Sequence, residues 1–152
     1  MEIRRATATD AATITEHRRA MFADMGHRDS AAMDVMSAAF LPWVKAKLES
    51  HEYLAWFAVD IDGTVAAGLG LWLMDWLPHM IGGGAPRRGN IVNVYTAPAY
   101  RRKGIARALM QTALDWSRDN GVACVILHAS AEGRGLYESF GFTATNEMRL
   151  LL

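Results

Sequence analysis

Residues Arg101 to Ala106 read Arg-Arg-Lys-Gly-Ile-Ala and open a strongly helical stretch with three consecutive cations. A helix N-terminus is the positive end of the macrodipole, so each exposed cation there costs on the order of 0.3–1 kcal/mol. Lys103 and Arg107 add a like-charge pair at i and i+4. No Ser, Thr, Asp or Asn stands just before Gly104 to cap the helix. Local rules of this kind are broken where function demands it. The simplest compensation is a bound polyanion, its phosphates taken by bare backbone N–H groups and by the cations. Gly104 lets the chain approach such a ligand closely.

These cations are a local device. The 152 residues carry no formal net charge, which argues against nucleic acid or an anionic membrane as partner. With 51% hydrophobic and 21% charged residues, the composition is that of one globular domain spanning 1–152. The single Cys124 excludes an internal disulfide framework and points to a reducing, cytoplasmic setting. The first ten residues, MEIRRATATD, hold no apolar core of a signal peptide. The longest apolar run, Val65 to Met74, is too short to span a membrane.

The elements that position the cations follow from periodicity and turn residues. Glu2 to Ala6 reads as a short strand. A helix starts at Thr9-Asp10, keeps Ile14, His17, Met21, Phe22 and Met25 on one stripe, and ends at Gly26. A second runs from Asp29-Ser30 to about Ser50, with Pro42 predicted to break or kink it. Tyr53–Asp60 and Val65–Leu77 read as strands joined by the Asp62-Gly63 turn, with Gly68 and Gly70 weakening the second or marking a bulge. Pro78 to Gly89 is a glycine-rich loop, either a lid or a plain hairpin connection. Asn90–Thr96 is a buried strand, Lys103–Asn120 a helix stopped by Gly121, and Val122–Ala129 another buried strand. Glu132–Phe140 is a short helix, and Phe142–Leu152 supplies one or two final strands. Two strands joined by one helix should run parallel, and the polycation lies at the carboxyl end of the first, where α/β sheets bind ligands.

The segment NVYTAPAYRRKGIARALM, followed about 30 residues later by LYESFGF, resembles the GNAT superfamily of acetyl-coenzyme A-dependent N-acyltransferases. The superfamily signature is Arg or Gln, two free positions, Gly, one free position, then Gly or Ala. Here it is carried by Arg101, Gly104 and Ala106, after a strand ending Val-Tyr-Thr and ahead of a helix. The resemblance is sharp over residues 90–142 and extends elsewhere through element order. It implies an α/β (α+β) fold of one domain: a mixed, mostly antiparallel central sheet with a splayed parallel pair, flanked by helices. It also implies transfer of an acetyl group from acetyl-CoA to a primary amine of a small molecule or peptide, with no metal. On this resemblance the backbone of Arg102, Lys103, Gly104, Ile105 and Ala106, beside Arg101, cradles the coenzyme's pyrophosphate. Main-chain groups of Val94, Tyr95 and Thr96 pair with the pantetheine arm, and Tyr137 protonates the departing thiolate. Ser130 stands where the family commonly has Asn, and is kept as a coenzyme contact. Gly133 stands where Ala is frequent.

Family members often place a Glu on the strand equivalent to 90–96 as base; this strand has no acid, and Asn93 is its nearest polar residue. His79, Asp75, His128 and Glu132 are candidates for the role. The missing carboxylate supports a second reading, a non-catalytic acyl-CoA-binding sensor or regulatory domain. His128 and Cys124 lie on a predicted core strand and read as structural, and Arg134 either reaches a phosphate or is solvated. Met21, Met25, Met33, Met36, Trp43, Trp72 and Trp76 read mostly as core. The resemblance implies an acceptor pocket built from the first two helices and the middle strands, and nine methionines and five tryptophans fit an apolar, adaptable site there. The terminal Leu150-Leu151-Leu152 run would be better covered than bare, which fits a homodimer.

Overall fold

Asp10 and Asp29 start the two leading helices. In the computed structural model, which describes Met1–Leu152, strand β1 (Glu2–Arg5) passes through a 3-10 turn at Ala8–Asp10 into α1 (Ala11–Asp24). The Asp10 carboxylate accepts the Thr7 N–H at 2.8 Å and two bonds from Arg4 at 2.8 and 3.0 Å. Arg4 holds the Asp10 carboxyl below its ordinary range. Helix α2 (Ser30–Glu49) begins where Asp29 accepts the Ala32 N–H at 3.0 Å. Of the break or kink expected at Pro42, the break does not occur. Pro42 and Ala38, whose carbonyl the proline leaves without an N–H, are both exposed, so water can serve the carbonyl.

Strands β2 (Tyr53–Val59), β3 (Val65–Asp75), β4 (Arg87–Thr96) and β5 (Val125–Leu127) complete a five-stranded sheet in the order β1-β2-β3-β4-β5. Every neighbouring pair is antiparallel except β4–β5, which is parallel and joined through α3 (Ile105–Asp119). The fold class and the crossover are therefore as the sequence indicated. The parallel pairing is short: Gly89 faces Val125, Asn90 faces Ile126 and Ile91 faces Leu127, and no pair follows. Beyond Ile91 the strands part, which leaves the β5 side of β4 open from Val92 to Thr96. On its other side β4 stays paired with β3, but out of step: Gly68 faces Tyr95 and Gly70 faces Val92. Leu69 thus opposes both Asn93 and Val94. This is a β-bulge on β4, and Asn93 adopts φ +55° to make it.

Helix α3 covers one face of the sheet with Leu109, Met110 and Ala113 fully buried against Leu71, Leu69 and Ile91. Helices α1 and α2 cover the other, where Ile14 and Val44 pack on Tyr53, Ala55 and Phe57. That second layer closes only in part. Trp43 and Trp72 pack on this core from its edge as expected, but none of Met21, Met25, Met33, Met36, Trp43, Trp72 and Trp76 is fully buried, and Met25 is 52% exposed.

Other boundaries also move. Strand β4 starts at Arg87, so the glycine-rich connection spans 76–86; it is a hairpin link pinned where the Trp76 N–H donates to the Pro86 carbonyl at 2.9 Å. Strand β5 is shorter than predicted, leaving Cys124 half-buried ahead of it and His128 exposed behind it. Helix α4 is a short turn of helix, Arg134–Glu138. The final strands expected over Phe142–Leu152 do not form. Met148 and Leu150 to Leu152 are at least 80% exposed, and Glu147 contacts His128 just past β5 at 3.1 Å. A strand needs a ladder, and three residues of β5 offer little to build one on.

Candidate active site

The polycation forms a tight turn rather than the first turn of a helix. Arg101 is extended, Arg102 and Gly104 take left-handed φ of +63° and +79°, and α3 begins only at Ile105. The helical i,i+4 repulsion between Lys103 and Arg107 is therefore absent. Arg107 turns away, donates to Ser139 Oγ at 2.9 Å and lies over the Phe140 ring. Gly104 provides no capping side chain, and the first N–H satisfied from it is that of Ala108, to the Gly104 carbonyl at 3.1 Å. The N–H groups of Ile105, Ala106 and Arg107 precede that bond, as the orphan donors of a helix start do. A Cβ on Gly104 would meet no protein atom within 4 Å, so the space above the turn is open.

The three cations divide. Arg101 is committed within the protein: it pairs with Asp24 at the end of α1 and donates through Nε to the Thr96 carbonyl at 2.9 Å. It braces the turn against β4 and α1. Arg102 and Lys103 are exposed and have no acidic partner, Lys103 resting over the Tyr100 ring at 5.3 Å. Ile105 is anchored in the α3 core, so it and Ala106 have only their backbone to give a ligand.

On β4 the Ala97 N–H just after the strand bonds the Ala66 carbonyl of the β3 side at 2.9 Å. By strand alternation Tyr95 also turns its main chain to β3, while Val94 and Thr96 turn theirs to the open gap. Tyr95 instead contributes its ring, 4.9 Å from that of His17. Tyr137 lies across the gap on α4. It packs, with Val94 and Leu127, on the apolar layer that contains Ile105 and Leu109. Burial alone raises its phenol pKa, since no charged group acts on it. Ser130 closes the turn before α4: its Oγ accepts the Gly133 N–H at 3.2 Å and retains its own proton to donate. A Cβ on Gly133 would fall 2.8 Å from the Tyr137 ring, so glycine there is what lets the ring fold back over the turn.

None of the four base candidates stands at the bulge. His79 stacks on Trp76 and accepts the Ile81 N–H at 3.0 Å in the hairpin link. Asp75 ends β3, Glu132 is exposed and His128 pairs with Glu147. Arg134 faces Glu138 at 3.7 Å.

The bulge is instead surrounded by polar groups that the sequence reading passed over. Arg18 Nη1 donates to Asn93 Oδ1 at 2.7 Å, and Asn93 Nδ2 donates to the buried Tyr53 hydroxyl at 2.8 Å. His17 Nδ1 is buried without a partner, and burial lowers its pKa. His17, Tyr53, Gly68, Gly70 and Asn93 line a cavity of about 10 Å³, room for a single water. His17 was absorbed into the apolar stripe of α1, where periodicity cannot separate a packed histidine from a working one. The available signal was Asn93 itself, an amide on a buried strand that has to find partners.

Comparison with known proteins agrees with this geometry. The profile of the Acetyltransferase (GNAT) family matches residues 13–142. A GCN5-related N-acetyltransferase from Ralstonia eutropha JMP134 superposes with a TM-score of 0.93 at 33% identity, over 99% of this chain and 97% of that one. A predicted acetyltransferase with acetyl-CoA from Clostridium acetobutylicum shares the fold at 23% identity and a TM-score of 0.88, over 99% and 95% of the two chains. Among curated relatives, human N-acetyltransferase 8 is 34% identical over 64 residues, 40% of this chain and 28% of its own length. Glucosamine 6-phosphate N-acetyltransferase of Trypanosoma brucei brucei is 38% identical over 63 residues, 41% and 43% of the two. The matched segments thus span less than half of either curated relative. Helix α3, its cationic turn and the parted β4–β5 pair all fall inside the profile match, and the chain belongs to the Acetyltransferase (GNAT) family of acyltransferases.

Proposed function

We propose that the chain acts as one N-acetyltransferase domain that moves an acetyl group from acetyl-CoA to the primary amine of a small molecule or peptide. The observation that carries this reading is the uncapped start of α3, flanked by the unpaired Arg102 and Lys103, at the mouth of the gap between β4 and β5. A diphosphate fits that turn: it complements the macrodipole, the N–H groups before Ala108 and both cations. Val94 and Thr96 face the gap as an open strand edge, to which an extended pantetheine arm adds as a further strand would. Thr96 keeps its N–H for this, since its carbonyl already serves Arg101.

The chemistry is direct transfer. The neutral amine attacks the thioester carbonyl, the new C–N bond forms and the C–S bond breaks. The amine's proton leaves to solvent, and the thiolate takes a proton from Tyr137. A thiol has pKa about 8.5 and a tyrosine about 10, so the transfer is only modestly uphill. Backbone N–H groups at the bulge polarise the carbonyl as it gains charge. The test is release of free CoA thiol from acetyl-CoA with mixed primary amines, with mass spectrometry of the acetylated products. Thiol release that needs an amine supports the proposal; CoA binding without release would leave a non-catalytic acyl-CoA binder.

A further inference from the structure

We propose that the acceptor carries an anionic group, a carboxylate or a phosphate, besides its amine, and that Arg18 receives it. The inference rests on the acetyltransferase reading above and names the substrate class of that same site.

Arg18 sits on the α1–α2 face of the sheet, against the bulged residue of β4. Its guanidinium has five N–H donors, and the protein uses one, the 2.7 Å bond from Nη1 to Asn93 Oδ1. Its Nε is buried with no acceptor. The guanidinium carbon lies over the Phe22 ring at 4.9 Å and the Phe40 ring at 4.8 Å. Both rings pack against the guanidinium, and its Nη2 N–H groups have no protein acceptor. No carboxylate pairs with it: the neighbouring Arg19 takes Asp34, and Arg101 takes Asp24. Burial depresses its pKa, and the only ionisable group that opposes this is Tyr53.

Arg18 is half-buried, and a guanidinium partly withdrawn from water without an anion is an unfavourable arrangement. Proteins that bury Arg for structure give it a carboxylate, and this one gives it an amide and two aromatic rings. The planar fork matches a carboxylate or phosphate in two parallel bonds. The two rings against Arg18, Phe22 and Phe40, are themselves only partly covered, which leaves room to admit one. An acceptor anchored there by its anion would lie on the apolar wall and reach with its amine toward the bulge, on the side of the sheet opposite Tyr137. The site then selects against neutral amines, because a partner lacking the anion leaves the half-buried cation unpaired.

The test compares matched acceptors by thiol release: glycine against glycinamide, O-phosphoethanolamine against ethanolamine, and glucosamine 6-phosphate against glucosamine. Within the pair that is used, the anionic acceptor should have kcat/KM higher by about tenfold or more, mostly through KM. In Arg18→Gln that ratio should fall to near one. Arg18→Lys keeps the charge without the fork and should retain an intermediate ratio, so an effect of misfolding in one variant is distinguishable. The pairs also separate carboxylate from phosphate. A second arm needs no turnover: with CoA saturating, acetate or inorganic phosphate should raise the melting temperature of the parent chain and not that of Arg18→Gln. Equal turnover of neutral and anionic acceptors, or a preference unchanged in Arg18→Gln, overturns the proposal while leaving acetyl transfer intact. Equal anion responses in the two proteins overturn it even if no amine is acetylated.

Discussion

Asn93 Nδ2 donates to the Tyr53 hydroxyl at 2.8 Å, joining the bulge of β4 to the first residue of β2, both side chains being buried. The bond is possible because β3, which runs between those strands, presents glycine: a Cβ on Gly70 would lie 1.9 Å from the Tyr53 hydroxyl. Tyr53→Phe leaves the Asn93 amide without an acceptor, a loss of about 1–3 kcal/mol. For a chain of this length that lowers Tm by roughly 2–4 °C per kcal/mol. Gly70→Ala forces the ring out of its site and should melt lower still. Thermal melts of the three proteins check the order.

The bulge conformation predicts a second order, at Asn93 itself. Its φ of +55° suits Asn or Gly and is strained for a β-branched residue. Both Asn93→Gly and Asn93→Val lose the bonds to Tyr53 and Arg18. Only Val adds left-handed strain, on the order of 1–2 kcal/mol. Asn93→Val should therefore show the lower denaturation midpoint in urea, and equal midpoints would mean that the bulge relaxes.

Gly104 and Gly121 make a matched pair that separates strain from ligand exclusion. Both have left-handed φ, +79° and +70°, and at both a Cβ would meet no protein atom within 4 Å. Alanine at either should cost a similar amount of stability, about 1–2 kcal/mol. The difference is location, one at the start of α3 beside the open gap and the other past its end. Calorimetry with CoA should show weakened binding for Gly104→Ala and unchanged binding for Gly121→Ala. Parallel effects in the two variants would remove the phosphate cradle from the turn.

What the sequence made legible was whatever depends on local chemistry. The Arg101–Ala106 segment broke helix rules, and the structure resolves the conflict by starting α3 after Gly104 and turning Arg107 aside to Ser139. The parallel crossover followed from one helix joining two strands. Other features depend on contacts that no window contains. The partition of the cations was invisible because Asp24, which claims Arg101, lies 77 residues away. Arg18 and His17 looked like ordinary members of a helix because their partners are a strand bulge and an aromatic cleft. The tail misled in the opposite way: its leucines have strand character, but pairing needs an edge that β5 scarcely offers.

Tyr137 is partly buried among apolar groups with no charge acting on it, and its phenol pKa is raised. It should stay protonated past the usual tyrosine range, so kcat should show no falling limb from this residue below about pH 10. Tyr137→Phe keeps the ring on Gly133 and Phe142 and removes only the proton donor. Its kcat should fall on the order of 100-fold, with CoA affinity nearly unchanged. A kcat close to that of the parent would mean that the thiolate is protonated by water.

His17 should make stability depend on pH in a defined direction. Burial lowers its folded pKa below the ordinary value of about 6.5, and no carboxylate offsets this. Between the two values the unfolded chain holds a proton that the folded chain excludes, so folding is favoured as pH rises. The full contribution is present above about pH 6.5. It declines as pH falls and is lost once pH passes below the depressed folded value. His17→Gln cannot titrate, so urea midpoints of the parent should fall more steeply than those of His17→Gln between about pH 7 and 5. The ring touches Tyr95 and lies against Gly68, so protonating it also introduces charge beside the bulge. A parent chain whose slope matches that of His17→Gln would mean that the imidazole reaches water through the small cavity it shares with Tyr53 and Asn93.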